Sequence, residues 1–424
     1  MVKVETNSQR AFFELLKAGL WENCEEFQVS GSKFQGAVDW EKVYRLAEEQ
    51  SVQGLVLQGI ERLKNDNHNH NENLNLNHNH NENLDDNGNE GNSQLGLGST
   101  LRSELPSQML LLQWIGEVQI IEQQNKAMNE FVARLIGQLR EEDVYAILVK
   151  GQGIAQCYDR PLWRVSGDVD LLLSSNNYEK AKEVLLPLAV EADTEYVSLK
   201  HLGMTMKEGF VVELHGMLHC RLSNRIDKMI DDAQHDVFCR GHVRSWDNNG
   251  TQVFLPAPDN DVIFIFTHIL KHFYIEGIGL RQICDWCRFL WTYRESLNHG
   301  LLESRIKEAG LMTEWMAFAA LAVEYLGMPI EAMPLYHSDA QGVQEFKKFK
   351  RKGERILEFV LKVGNFGHNR QAASGKISSA WHKTKDFIRH AKLFPLDSIK
   401  FYCHFVIDGV VVANKNKMYK RSKV

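Results

Sequence analysis

The sequence lacks a continuous apolar run long enough to cross a membrane, which takes about 20 residues. Its two apolar stretches near the C-terminus, 401–407 and 409–413, are short and are separated by Asp408. The first residues, Met1 to Glu5, also lack the apolar core of a secretory signal peptide. These absences predict a soluble, cytoplasmic protein with no membrane span.

An excess of basic charge is also missing. The chain carries 49 Lys and Arg against 55 Asp and Glu, for a formal net charge of −6, whereas general nucleic-acid binding depends on positive charge. The charge is uneven, since residues 371–424 hold 11 Lys and Arg and only three acids. A solvated basic face is the simpler interpretation of this tail, and an anionic partner is the alternative. Nucleic acid is therefore a permitted partner but not the favoured one, and a protein partner stays open.

Closely paired cysteines are scarce. Seven cysteines are scattered along 424 residues, and an odd number in a chain of this size predicts reduced thiols in a reducing compartment. The pair Cys284 and Cys287 falls in a helical pattern and has no second pair at zinc-finger spacing. We therefore expect no metal or redox role for these two thiols.

The length allows two or three domains. Helix-spaced apolar residues predict an N-terminal helical region over residues 1–64, and a long helix over residues 101–142 joins the same layer. Between them, residues 65–100 are rich in Asn and His and have little apolar surface, which predicts a disordered insertion. The histidines of this segment suit a transition metal, but repeat slippage in a tolerated loop is the simpler explanation; they are His68, His70, His78 and His80.

Residues 143–255 are predicted to form an αβ core. Its β-rich runs are 144–149, 168–173 and a hairpin made of 204–207 and 210–214. Helical spacing dominates again beyond Pro258, so we expect a helical region at 256–330 and a C-terminal helical region with a basic tail at 331–424.

Two carboxylates, Asp168 and Asp170, stand one residue apart in the apolar run 164–173. In a strand they share one face and rise about 6.6–6.8 Å per two residues. Such a pair can hold two divalent cations, which two-metal sites keep about 3.5–4 Å apart. An exposed Asp-x-Asp in a loop is the alternative that spacing alone leaves open.

Further polar residues surround this pair in the sequence. Lys150-Gly151 ends a predicted strand before a helix. This arrangement suits phosphate binding, but a strand–glycine–helix turn is also common where no ligand binds. Glu213 and His215 share one face of a strand, so Glu213 can supply a third carboxylate.

Two pairs on the following helices have the spacing of one helix face. His268 and His272 are four residues apart, and we favour buried or nucleotide-contacting roles for them over a zinc pair. Arg281 and Asp285 have the same spacing and are most simply a helix-surface ion pair. Arg164, four residues before Asp168, pairs with a carboxylate or contacts phosphate.

Together these motifs resemble the nucleotidyltransferase superfamily, and in particular the bacterial family of uncharacterised nucleotidyltransferases, over roughly residues 144–290. The resemblance implies an α+β fold, with a mixed β-sheet core and helices embedded between N- and C-terminal helical regions. It implies that Asp168 and Asp170 bind two Mg²⁺ (or Mn²⁺) ions and that Glu213 joins them and helps activate the acceptor. The residues that it places on nucleotide or phosphate are Lys150, Gly151, Arg164, Gly167, His215, His268, His272, Arg281 and Asp285.

The activity that the resemblance implies is transfer of a nucleoside monophosphate from an NTP to a hydroxyl, with release of pyrophosphate. The acceptor and the choice among ATP, CTP, GTP and UTP stay open; a small molecule, a peptide or protein, and an RNA end are the acceptor classes. One departure is that Gln152 follows Gly151 where the superfamily has a phosphate-binding serine. It motivates the alternative, a non-catalytic nucleotide-binding or partner-binding protein on the same fold.

Overall fold

The computed structural model describes residues 6–21, 37–63, 105–275, 277–336, 342–364, 387–395 and 397–404. The predicted insertion at 65–100 and most of the predicted basic tail lie outside the described residues, so neither prediction is tested. Within the described ranges, no helix combines the length and the apolar character that crossing a bilayer requires.

The N-terminal part is helical, as predicted. Helix α1 spans Asn7–Leu20, α2 spans Trp40–Glu49, a further helical segment covers residues 53–63, and α3 spans Gln108–Glu141. The segment 53–63 crosses α1 at backbone contact distance. A Cβ built on Gly19 would lie 1.9 Å from the carbonyl oxygen of Leu55, and one built on Gly59 would lie 2.1 Å from that of Leu15. The two helices therefore need glycine on both sides of the crossing.

Seven strands of the described chain form one mixed sheet. They are β1 Ile147–Val149, β2 Asp168–Leu172, β3 Ala189–Ala192, β4 His201–Met206, β5 Val211–His215, β6 Val243–Asn248 and β7 Thr251–Pro256. Their order in the sheet is β3-β4-β5-β2-β1-β7-β6. Strand β2 pairs in parallel with β5, β1 pairs in parallel with β7, and the other neighbours are antiparallel. The mixed sheet with helices on either side confirms the predicted fold class.

The remaining labelled helices lie between and beyond these strands. They are α4 Gly151–Ala155, α5 Ser175–Leu185, α6 Asn224–Arg240, α7 Pro258–Ile275, α8 Leu280–Tyr293, α9 His299–Ala309, α10 Met312–Leu326 and α11 Gly342–Val363. Further helical turns lie within residues 387–395 and 397–404. Cys284 and Cys287 are buried in α8 as free thiols.

The period-2 alternation of the central strands divides the sheet into two faces. Val169, Leu171, Val212 and Leu214 point into an apolar cluster with the second half of α3 and with α5. The alternate residues of these strands face a cleft that is also lined by α7 and α8; they are Asp168, Asp170, Glu213 and His215. A second, larger apolar cluster joins α1, α2, α7, α8, α10 and α11 beside that cleft. The polar face of the sheet is thus enclosed by helices rather than left to solvent.

Candidate active site

All twelve residues singled out in the sequence line one cleft of about 590 Å³. They are Lys150, Gly151, Arg164, Gly167, Asp168, Asp170, Glu213, His215, His268, His272, Arg281 and Asp285. The structure therefore brings them to one place, while their contacts with a nucleotide stay a prediction.

Strand pairing brings the three carboxylates together. In the parallel ladder of β2 and β5, Asp170 stands directly opposite Glu213, and Asp168 precedes Asp170 on the same face. One oxygen from each of the three carboxylates lies within 4.8 Å of the others. Three oxygen donors converging on one point are a candidate site for a divalent cation.

Asp170 is buried and is contacted by two basic side chains. Lys150 Nζ donates to its Oδ1 over 2.9 Å, and His215 Nε2 lies 2.7 Å from the same oxygen. Lys150 reaches Asp170 because it follows Val149, the residue that pairs with Asp170 across β1 and β2. The backbone of Lys150 has a φ of 59°, a region that costs a non-glycine residue of order 1–3 kcal/mol and is found most often at functional sites.

Gly151 allows the chain to turn from β1 into α4 close to the carboxylates. Its φ is +36°, and a Cβ at this position would lie 3.4 Å from the carbonyl oxygen of Asp168. Gly167, on the other side of Asp168, is exposed and has open space around it. The position of α4 is thus set against the backbone of β2 by a residue without a side chain.

Electrostatic crowding is visible in the pKa values of the carboxylates. The Asp170 carboxylate and burial together raise the pKa of Asp168. Burial also tends to raise the pKa of Asp170, but Lys150 and His215 outweigh it and hold that pKa below its usual range. At Glu213 burial is likewise outweighed, here by His201 and His215, so its pKa is lowered as well. The lowered pKa values keep Asp170 and Glu213 ionised at neutral pH, and a cation would relieve the repulsion that Asp170 exerts on Asp168.

The Arg281/Asp285 pair does not lie on an exposed helix surface, because Asp285 is buried and binds Arg164 instead. Arg164 Nε donates to Asp285 Oδ1 over 2.9 Å, and Nη2 donates to Oδ2 over 2.7 Å. The Tyr158 hydroxyl donates to Oδ1 of the same carboxylate over 2.8 Å. Of the two roles predicted for Arg164, the structure shows the ion pair, and contact with phosphate stays a prediction.

Arg281 is half-buried at the cleft wall, where its Nη1 donates to the carbonyl oxygen of Val165 over 2.6 Å. Burial and the neighbouring Arg164 lower its pKa to about 10, so the guanidinium stays charged at neutral pH. Its charge partly offsets the rise in the pKa of Asp168 that Asp170 and burial cause. Arg281 therefore places positive charge within electrostatic reach of the carboxylates.

His268 and His272 pack edge to face along α7, with ring centroids 4.3 Å apart and ring planes 73° apart. Burial and the nearby Lys150 ammonium hold the pKa of His268 well below its usual value. His268 is thus neutral at physiological pH and can accept or donate one hydrogen bond within the cleft.

Sequence reasoning missed His201, which belongs to the same cleft. It lies on β4 opposite His215, and its Nε2 is 3.3 Å from Glu213 Oε2. The hairpin was predicted to begin at Met204, which left His201 outside the strand. Extending the period-2 pattern back through Leu202 would have placed His201 on the polar face.

The chain matches the model of a protein family over most of its length. A family model described as uncharacterised nucleotidyltransferase matches residues 36–327, which is well over half of the chain. The chain belongs to this family. No curated protein and no solved structure matches the chain.

Family membership confirms the predicted resemblance and supports the transferase class with an NTP as substrate. Nucleotidyltransferases generally use divalent metals, and the carboxylate cluster of this family member has the donor atoms for one.

Proposed function

We propose that this family member moves a nucleoside monophosphate from an NTP to an acceptor hydroxyl, releasing pyrophosphate, with Asp168, Asp170 and Glu213 at the reaction centre. The observation that carries the proposal is the convergence of three carboxylates within 4.8 Å, from two parallel strands, on the wall of a cleft of about 590 Å³. A pocket of this volume lies within the range of small-molecule sites, about 300–1,000 Å³.

The carboxylate cluster fits Mg²⁺ or Mn²⁺ in two respects: it offers oxygen donors, and it is negatively charged. Both basic contacts of Asp170 fall on Oδ1, so neither of them uses Oδ2. Asp170 and burial raise the pKa of Asp168, so a cation bound at the cluster would offset the repulsion between these two carboxylates. When bound, two such ions would neutralise the triphosphate and polarise its α-phosphorus.

The side chains of the cleft divide the remaining work. The lowered pKa of Glu213 suits a metal ligand better than a general base, because a carboxylate that binds protons weakly removes one slowly from a hydroxyl. Lys150 carries a half-buried ammonium whose pKa is raised, since Asp170 and Asp168 outweigh the effect of burial. It therefore stays charged and can oppose developing negative charge on phosphate.

The two arginines have separate tasks in this proposal. Arg164 is a positioning residue that ties the segment before β2 to α8 through Asp285. Arg281, at the cleft wall, is the arginine that we assign to the triphosphate. The positive charges of Lys150 and Arg281 both act on Asp168, where they partly offset the rise in pKa that Asp170 and burial cause.

The test is transfer of label from α-labelled NTPs, one nucleotide at a time, with Mg²⁺ or Mn²⁺ and a small-molecule, peptide or RNA acceptor. Asp168→Ala is expected to reduce labelling at least 100-fold, or about 3 kcal/mol of transition-state stabilisation. The matched control is Asp232→Asn, which changes a carboxylate that is 60% exposed on α6 and should leave labelling unchanged.

Two outcomes would contradict transfer. Labelling by Asp168→Ala at the wild-type level would remove the carboxylates from the reaction. Nucleotide binding without pyrophosphate release, over all acceptors and nucleotides, would favour the non-catalytic alternative that the missing serine suggested.

A further inference from the structure

A second cluster of metal-ligand side chains lies beside the three carboxylates on the cleft face of the sheet. His201 comes from β4, and Glu213 and His215 come from β5. In the antiparallel ladder of these strands His201 stands directly opposite His215, and Glu213 shares their face because it lies two residues from His215. The backbone register alone therefore places two imidazoles and a carboxylate together.

The distances in this cluster match those of a small coordination sphere. The Nε2 atoms of His201 and His215 are each 3.3 Å from Oε2 of Glu213. All three ligand atoms lie within 4.8 Å of one another, and the two rings are 4.8 Å apart between centroids. A tetrahedral ion with bonds of about 2.0–2.1 Å separates its ligand atoms by about 3.3–3.4 Å.

We propose that His201, Glu213 and His215 form a site for one divalent transition-metal ion of the Zn²⁺ class, beside the carboxylate cluster and sharing Glu213 with it. Imidazole nitrogen suits zinc, iron, copper and nickel, whereas Mg²⁺ selects oxygen ligands. Two imidazoles and one carboxylate are therefore the wrong set for Mg²⁺ and a common set for zinc.

The exposure of the cluster leaves room for a further ligand. The side chain of His215 is 9% exposed, while those of His201 and Glu213 are 27% and 30% exposed. Three protein ligands with one open side are the arrangement of a metal site that accepts water or a substrate oxygen. Asp170 borders the site, because its Oδ1 is 2.7 Å from His215 Nε2. The site thus opens to the same cleft as the proposed magnesium cluster.

The same distances also fit a network of hydrogen bonds between the two imidazoles and Glu213 without any metal. Titration with Co²⁺ separates the two, because Co²⁺ substitutes for zinc and its visible absorption bands report nitrogen ligation and coordination number. The Asn/His-rich segment would bind Co²⁺ as well, so the full-length chain is used with His68, His70, His78 and His80 replaced by Asn.

In this background, we expect one equivalent of Co²⁺ to produce visible bands, Zn²⁺ to displace it and excess Mg²⁺ to leave it in place. Changes outside the ligand shell cost about 10–100-fold in metal affinity, so His201→Gln should weaken Co²⁺ binding by at least about 100-fold. His219→Gln is the matched control, because His219 lines the same cleft but binds Asp231, 2.7 Å away. Asp168→Asn should also keep the bands, since Asp168 is not a ligand of this site.

The proposal is overturned if the background chain binds no Co²⁺, or if His201→Gln binds it as tightly as His219→Gln does. Circular dichroism is the folding control: a variant whose spectrum matches that of the background chain is folded, so its loss of Co²⁺ binding is a loss of the ligand. The titration contains no nucleotide, so its outcome is independent of nucleotidyl transfer. Loss of transfer in Asp168→Ala with retained Co²⁺ binding would support both proposals separately.

Discussion

The buried ion pair between Arg164 and Asp285 gives a prediction about stability that needs no assumption about function. Both side chains are 6% exposed, and the guanidinium and carboxylate meet through two parallel hydrogen bonds. Burial acts against the charge of Arg164, but Asp285 outweighs it and raises the pKa of the guanidinium. Asp285→Asn keeps the shape and an acceptor for Tyr158 while removing the compensating charge.

Removing one partner of a buried pair costs about 3–5 kcal/mol, because the remaining charge stays desolvated. We therefore expect Asp285→Asn to lower the free energy of unfolding by that amount, a large part of a typical total of about 5–15 kcal/mol. Arg164→Met leaves the carboxylate uncompensated and should act similarly. The double variant removes both charges, so it should be less destabilised than the sum of the singles by about 2–3 kcal/mol.

The measurement is urea unfolding monitored by tryptophan fluorescence, for wild type, both single variants and the double variant. Asp232→Asn again serves as the control, since its partner Lys228 is 74% exposed and such pairs contribute about 0–1 kcal/mol. The reasoning is refuted if Asp285→Asn costs no more than Asp232→Asn, or if the two single effects simply add.

Two further predictions concern stability away from the cleft. Burial and Asp397 raise the pKa of Glu314 to about 7. The folded chain therefore binds this proton more tightly than the unfolded chain does. The contribution of Glu314 to the free energy of unfolding is fully present below about pH 4.5 and declines by about 3 kcal/mol as the pH rises to 7. Glu314→Gln should flatten that decline in denaturation measured at pH 5 and pH 8, and an unchanged pH dependence would count against it. Gly19→Ala should destabilise the fold by about 1–3 kcal/mol because the new Cβ meets the Leu55 backbone. Gly116→Ala is the control in α3; it has open space around it and should stabilise the fold by about 0.5–1 kcal/mol. Equal melting temperatures for the two variants would contradict the close helix crossing.

The strands that the sequence predicted are those whose apolar pattern is strong. Strand β2 is an apolar run with one polar face, and the hairpin of β4 and β5 turns through Glu208 and Gly209, so period and turn chemistry agree. Strands β3 and β6 were not predicted, and both are edges of the sheet. All side chains of β3, and all of β6 except Asn248, are exposed or half-exposed. An edge strand needs no continuous apolar face, so its sequence resembles that of a loop. Strand β7 was missed with its hairpin partner β6.

In the candidate site, too, some features follow from local sequence periodicity, whereas others depend on the tertiary fold. The common face of Asp168 and Asp170, and that of Glu213 and His215, follow from the two-residue period of a strand. The partner of Asp285 does not follow from spacing, because helical periodicity suggested Arg281 four residues away, whereas the tertiary fold supplies Arg164 from 121 residues away. Local periodicity shows which residues share a face, but only packing decides which charge a buried carboxylate meets.

The helices beyond the sheet are part of the candidate site rather than an appendage to it. Asp168 opens β2, and the segment just before it is held by α8 at two points: Arg164 binds Asp285, and Arg281 donates to the carbonyl oxygen of Val165. On the other side of the pair, Lys150 at the end of β1 binds Asp170. The carboxylates are thus positioned from the sheet and from α8 together, and a catalytic group needs such support on every side to hold its geometry. Helix α8 therefore has two parts in the candidate site, because it lines the cleft and also holds the segment just before Asp168.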